Sequence, residues 1–285
     1  MTEKQDILET IPDEVVIELR EKYRNAGPHT AYVYNFLNCA LKWKRLCPNK
    51  NFFTLLAPNG NCTDGTFIAI QSWSCYDIFL YTLDEDTKVL YEALAHTKSI
   101  DWKRLIVLYA VQKDQFPMVL QALNKVEFPI HHSNVYDVWW MSKQKALGLS
   151  IDECPSEVYV QKLDKVHAAV INSYWDSRFP NSEEYLSTFI ELNGGYGVFT
   201  KTTNKLVSWV LKNQIGLGAV ETLKDYKRKG YASLVVKHMA KKCAEEGEDP
   251  LGTVLQGNIT SQAMFKKLGF TIINTVVFTE AEISR

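Results

Sequence analysis

Ten consecutive residues concentrate the chemistry of this sequence: Lys224-Asp225-Tyr226-Lys227-Arg228-Lys229-Gly230-Tyr231-Ala232-Ser233. Four cations, Lys224, Lys227, Arg228 and Lys229, fall within six positions and meet one carboxylate, Asp225. A strand pattern ends just before this run, at Leu223, and a helical pattern starts near Tyr231. The first turn of a helix exposes unpaired N–H groups and the positive end of the helix dipole, so cations there are unfavourable until an anion joins them. Gly230 admits a positive φ and a close backbone approach, and Ala232 keeps the first turn slim. A multiply phosphorylated ligand suits such a loop, and a solvated charge run is the competing reading. Neither a G-x-x-x-x-G-K-[ST] phosphate loop nor a G-x-G-x-x-G turn occurs in the chain. Glu221, the only carboxylate on the preceding strand, is either a general base or a surface residue at a strand end.

A second constellation follows a strand-like run, Gly252–Gly257. It reads Asn258-Ile259-Thr260-Ser261-Gln262-Ala263-Met264-Phe265-Lys266-Lys267-Leu268-Gly269-Phe270. Ser261 and Phe265 are four apart and share a helix face. Gly269 suits a left-handed C-terminal cap, and Phe270 opens the next strand.

The elements that must position these residues repeat. The first half predicts helices over Ile11–Asn25 and Thr30–Leu46, then strands at Asn51–Ala57, Thr66–Trp73 and Asp77–Leu83. A helix from Asp86 to Thr97, a strand Arg104–Ala110, a helix from Asp114 to Val126 and a strand Asn134–Met141 complete it. The polar stretch from Ser142 to Ser156 marks a boundary. The second half predicts a strand Glu157–Gln161, a helix capped by Asp164 that runs to Trp175, and a helix from Ser182 to Leu192. Strands Tyr196–Thr200, Leu206–Lys212 and Ile215–Leu223, a helix Tyr231–Glu246, the strand Gly252–Gly257, a helix Ser261–Leu268 and a strand Phe270–Phe278 follow. The competing reading is one larger mixed domain with a coincidental order.

Composition bounds the function. The chain has 285 residues, 32 Lys and Arg against 33 Asp and Glu, and 46% hydrophobic residues, enough for a full core. The balanced charge argues against a nucleic-acid partner, and the absence of a long apolar run argues against a membrane. With no signal-like N-terminus, the expected location is the cytoplasm, the mitochondrion being the alternative. Six scattered cysteines without a C-x-x-C pair read as reduced thiols. The His131-His132 pair reads as a solvated loop, so no metal is expected.

Lys227, Gly230 and Ala232 resemble the acyl-CoA-binding signature [QR]-x-x-G-x-[GA] of the GNAT superfamily, with lysine at the first position. Asn258, Ser261, Phe265, Gly269 and Phe270 are similar to its N-x-x-[AS]-x-x-x-[YF]-x-x-x-G-F pattern. The resemblance covers Glu157 to Glu280. Ile171-Asn172-Ser173-Tyr174-Trp175 and Leu206-Val207-Ser208-Trp209 look most like the glycine N-acyltransferase-like branch, whose members carry a degenerate N-terminal GNAT half. An α+β fold with mixed sheets is therefore expected, in two GNAT-like domains. Residues 1–145 would be the degenerate one, because Asp84, Glu85 and Asp86 occupy the loop where a pyrophosphate would bind. Residues 156–285 would be the acyltransferase domain.

The resemblance also implies acyl-CoA or acetyl-CoA as co-substrate and direct attack on the thioester by a small amine or amino acid. Thr222, Leu223, Lys224, Lys227, Arg228, Lys229, Gly230, Tyr231, Ala232, Ser233, Asn258, Ser261 and Phe265 would contact CoA. A backbone N–H around Thr222 and Leu223 would polarise the thioester oxygen, and Glu221 would be the base. The family glutamate often stands earlier on this strand, where this chain has Gly216, Leu217 and Gly218. Phe265 replaces a frequent tyrosine acid, which leaves water, the amine itself or Tyr231 to supply a proton. Arg178 either pairs with an acceptor carboxylate or is an ordinary surface arginine. Two alternatives stand beside a small-molecule N-acyltransferase: a protein acetyltransferase and a catalytically silent CoA-binding scaffold.

Overall fold

The computed structural model describes residues 6–73, 75–151 and 153–281. In chain order it runs β1 (Leu8–Thr10), α1 (Asp13–Asn25), α2 (Ala31–Leu46), β2 (Phe53–Pro58), β3 (Phe67–Ser72), β4 (Tyr76–Tyr81), α3 (Lys88–His96), β5 (Ile106–Gln112), α4 (Phe116–Lys125) and β6 (His132–Trp140). It continues with α5 (Lys143–Leu147), β7 (Val158–Lys162), α6 (Ala168–Tyr174), α7 (Ser182–Leu192), β8 (Gly195–Thr200), β9 (Leu206–Lys212), β10 (Leu217–Thr222), α8 (Tyr231–Glu245), β11 (Leu251–Leu255), α9 (Ile259–Leu268) and β12 (Thr271–Ala281). Two compact units divide this order, one formed by residues 1–137 and 274–285, the other by 138–273. β6 therefore passes from the first unit into the second at Val138, and β12 passes from the second into the first at Asn274.

In the first unit β1 to β4 pair antiparallel, β4 pairs β5 in parallel and β5 pairs β12 antiparallel. Strand side chains alternate faces, and both faces are apolar here. Ile68, Ile70, Ile78 and Leu80 pack with Leu90 and Leu94 of α3 and Val119 and Leu123 of α4. Their neighbours Phe67, Phe79 and Tyr81 meet Tyr23 of α1 and Tyr32 and Phe36 of α2, with Phe36 stacked on Phe79 at 4.2 Å. The predicted strands and helices of this half reappear within two residues at most ends. β1 and α5 are additional, too short for a periodic signal, and His132 opens β6 although the His131-His132 pair read as a loop.

In the second unit β7 to β10 pair antiparallel and β10 pairs β11 in parallel. The apolar stripe of α8, Leu234, Val235, Met239, Ala240 and Cys243, packs across β8, β9 and β10. The predicted helix from Asp164 splits into a 3₁₀ turn, Lys165–His167, and α6, because the Asp164 and His167 side chains form a reciprocal cap around that turn. β10 starts two residues later than predicted, because the Asn213 side chain accepts from the N–H groups of Ile215 and Gly216 and folds them into a turn.

One buried ion cluster ties β9 to the end of α8. Lys212 is 3% exposed, and its Nζ lies 2.6 Å from Glu248 and 3.0 Å from Glu246. Burial opposes the Lys212 charge, but Cys243, Glu248 and Glu246 outweigh it and raise its pKa above the ordinary lysine value. The adjacent Cys243 thiol is pushed up to about 12, chiefly by burial. All six cysteines are free. Among the described residues no helix is long and apolar enough to cross a membrane.

Candidate functional site

β10 holds the centre of the site because it is paired fully on one side only. Against β9 it is antiparallel, with a bulge between Gly218 and Glu221. Ala219 within the bulge takes a φ of 49°, a strained value for a residue with a Cβ. Against β11 the register is a single pair, Leu217 with Gly252. Beyond Leu217 the two parallel strands part and leave an open edge of backbone.

The bonding pattern identifies which peptide groups face that opening. The Leu223 N–H donates to the Val207 carbonyl at 2.9 Å, inside the sheet. Alternation along a strand then turns the Thr222 N–H away from β9, and the Glu221 Oε1 accepts it at 2.9 Å. Both residues expected to polarise a carbonyl have their N–H groups engaged, Leu223 by the Val207 carbonyl and Thr222 by the Glu221 side chain. Ser208, opposite Thr222, fixes this end of the strand: its Oγ donates to the Glu221 carbonyl at 2.9 Å and bonds the Thr222 Oγ1 at 2.7 Å.

The open edge runs directly into the charged loop. Lys224–Tyr226 form a 3₁₀ turn, Arg228 takes a φ of 64° and Gly230 a φ of 83°. Left-handed residues on either side of Lys229 turn successive N–H groups inward, as in an anion-binding nest. Gly230 is the N-cap of the 15-residue α8 and supplies no side-chain cap. A Cβ built at Gly230 meets nothing within 4 Å, so space stands open at the helix start. Lys224, Lys227, Arg228 and Lys229 are all exposed around it. Lys229 and Lys205, the latter from the β8–β9 turn, each place Nζ within 6 Å of the Tyr226 ring, at 5.6 and 5.8 Å. Lys205 is a further cation at the site, separated by nineteen residues from the loop and invisible as a motif.

The remaining predicted residues divide. Glu221 is half-exposed, and its Oε1 accepts the Thr222 N–H at 2.9 Å and pairs with Lys227 Nζ at 3.1 Å. The candidate base is thus bound to the loop and to the edge peptide. Tyr231 is buried beneath the loop and its hydroxyl donates to Glu157 at 2.9 Å. Burial and then the Glu157 carboxylate push that phenol up to about 12. Ala232 and Ser233 occupy the first turn of α8. Asn258 caps α9 by accepting the Ser261 N–H at 3.0 Å, which gives both residues a structural role at the start of that helix. Phe265 is 3% exposed and packs between Phe270, at 5.0 Å, and Trp139, at 6.4 Å, under Gly252. Its ring fills the core beside β11. Gly269 ends α9 in the left-handed conformation with φ 90°, as the sequence predicts. Arg178 is exposed and donates to the Ser173 carbonyl at 3.2 Å.

The equivalent loop of the first unit differs in kind. The Asp86 N–H donates to Asp84 at 3.0 Å, and the Lys88 N–H, at the start of α3, donates to Asp86 at 3.2 Å. Its helix start is filled by the chain's own carboxylates. β4 also meets β3 in unbroken register from Phe67–Tyr81 to Ser72–Tyr76, with no bulge to turn peptides outward.

Residues 195–279 match the family described as FR47-like protein, and residues 7–122 match one described as a domain of unknown function, DUF5645. No curated protein matches the sequence. A Drosophila protein of known structure is 21% identical, with 97% of this chain and 99% of that one aligned at a TM-score of 0.90. A tandem GNAT protein from the clavulanic acid biosynthesis pathway is 11% identical over 98% of this chain and 99% of its own, at 0.54. A GCN5-related N-acetyltransferase from Kribbella flavida is 12% identical over 77% of this chain and 87% of its own, also at 0.54. The chain has the tandem GNAT fold: mixed α/β units repeated within one polypeptide.

Proposed function

We propose that this protein is an acyl-CoA-dependent N-acyltransferase whose second unit binds the cofactor and acylates a small amine. The observation that carries this reading is the continuity of two features: β10 parts from β11 after Leu217, and its free edge leads into an uncapped, open helix start ringed by cations. A long ligand with a diphosphate at one end and amide groups along its arm matches that order. The Lys227–Ser233 segment would hold the diphosphate. The open edge of β10 beyond Leu217 would lie along the arm and the thioester. The glycine N-acyltransferase-like assignment rests on the sequence resemblance at Tyr174 and Trp209. A catalytically silent CoA-binding protein is the second reading, favoured by the engaged Glu221 and the buried Phe265.

Calorimetry with coenzyme A tests the site. Titration of the whole chain is expected to give one site, because the first unit's helix start already holds Asp86. A stoichiometry of two would overturn the contrast between the loops. Neutralising Arg228 and Lys229 to glutamine should weaken binding more at about 10 mM than at about 500 mM salt, since exposed charge attraction is screened over a Debye length. A loss independent of salt would mean that the substitutions disturb the fold of the loop.

A further inference from the structure

We infer that the acceptor is an aromatic amine that packs against Tyr174 and reaches the thioester already uncharged; this rests on the acyl-CoA-dependent reading above. The geometry comes from the β9–β10 register. Trp209 stands directly opposite Glu221, and directly opposed residues of an antiparallel pair share a face. Trp209 is buried, and the Tyr174 ring at the end of α6 lies 5.9 Å from it, tilted by 52°. Tyr174 itself is 51% exposed, and Val170, one turn earlier on α6, is also exposed. The face of the sheet beside the end of β10 therefore presents an exposed aromatic ring, and rings pack on rings in tilted or offset contacts.

The chemistry comes from what the ionisable groups are doing. An alkylamine with a pKa near 10.4 is neutral in only about one molecule in 2,500 at pH 7, so an enzyme acting on one needs a base. Glu221, the residue paired with Trp209, has Oε1 bonded to the Thr222 N–H and to Lys227. The Tyr231 hydroxyl donates a hydrogen bond to Glu157. Phe265 has no proton to exchange. An arylamine delocalises its lone pair into the ring and is uncharged at neutral pH, so this constellation can act on it as it stands. The nitrogen lone pair forms the new C–N bond at the thioester carbonyl carbon, and the C–S bond breaks. The nitrogen gives its surplus proton to water, and the departing thiolate takes one from water, leaving an amide and free CoA thiol.

The full-length chain with acetyl-CoA, assayed for free thiol at pH 7, tests this with three probes: p-toluidine, benzylamine and glycine. Benzylamine carries the ring without the uncharged nitrogen, so the pair separates stacking from ionisation. We expect kcat/KM for p-toluidine to exceed the other two by about tenfold or more, because only it avoids the deprotonation penalty. Tyr174→Ala should raise KM for p-toluidine about 2- to 10-fold with kcat nearly unchanged, the range of one aromatic contact, and Tyr174→Phe should restore it. The kcat/KM for p-toluidine should stay level between about pH 6.5 and 8.5, because an acceptor that arrives uncharged needs no base to ionise in that range. Faster turnover of glycine or benzylamine, or an acid limb in the p-toluidine profile between about pH 6.5 and 8.5, would overturn the inference. Intact CoA binding without arylamine acylation overturns it while leaving the CoA site standing; absent CoA binding removes the underlying reading as well.

Discussion

Gly230→Asp is expected to lower the affinity for coenzyme A at least about 100-fold, roughly 2.7 kcal/mol. The φ of 83° would penalise most side chains by ~1–2 kcal/mol, but aspartate and asparagine tolerate the left-handed region better than other residues. The space around the position is open, so α8 should fold normally. What changes is the charge. A carboxylate at the N-cap would occupy the helix start as Asp86 occupies that of α3. Two unit charges 4 Å apart repel by about 1 kcal/mol in bulk water and about 4 near a protein surface. Gly230→Asn places a similar volume there without charge and should lose much less affinity. Calorimetry on the two variants separates repulsion from shape. Unchanged affinity in a folded Gly230→Asp protein would remove the loop from the binding site.

Lys212→Met should destabilise the second unit by about 3–5 kcal/mol, the cost of leaving a buried carboxylate without its partner. Glu248, whose side chain is 4% exposed, would be the stranded group. The Lys212→Met/Glu248→Met double variant should return most of that loss, because a well-packed apolar pair of similar volume replaces a buried ion pair at little cost. Urea unfolding of the single and double variants measures both. The pH dependence has a definite sign. A group whose folded pKa is raised contributes fully below its unfolded pKa, near 10.4 for lysine, and loses that contribution only as pH rises through the folded value. The Lys212 contribution should therefore be constant from pH 6 to about 9. A double variant as unstable as the single one would show that the cluster's value lies in the shape of the β9–α8 junction.

The sequence by itself determined the elements and the chemistry of the loop. Periodicity placed β9 over Leu206–Lys212 and α7 over Ser182–Leu192 without error, since buried apolar faces leave a clear period of two or 3.6. Local chemistry was equally legible. A glycine between a cationic run and a helix marks a helix start without a side-chain cap, and a glycine after Leu268 marks a helix end, because each depends on neighbours in the chain. The acidic Asp84–Asp86 loop was legible as such, and its carboxylates accept the N–H groups of Asp86 and Lys88 at the start of α3.

Tertiary structure alone decided how those groups are used, because strand register and side-chain partners depend on residues distant in sequence. Nothing local shows that the Leu223 N–H is committed; the Val207 carbonyl on β9 commits it. Glu221 was conspicuous as the only carboxylate on its strand, yet Lys227 and the Thr222 N–H engage it. Phe265 and Asn258 matched a motif by type, and the fold spends them on core packing and helix capping. Lys205 reached the site through the β8–β9 turn, and Tyr174 met Trp209 across thirty-five positions. The last strand passes from the second unit into the first at Asn274. A strand's own pattern shows that it needs two covered faces, and only the folded chain shows which neighbour covers them.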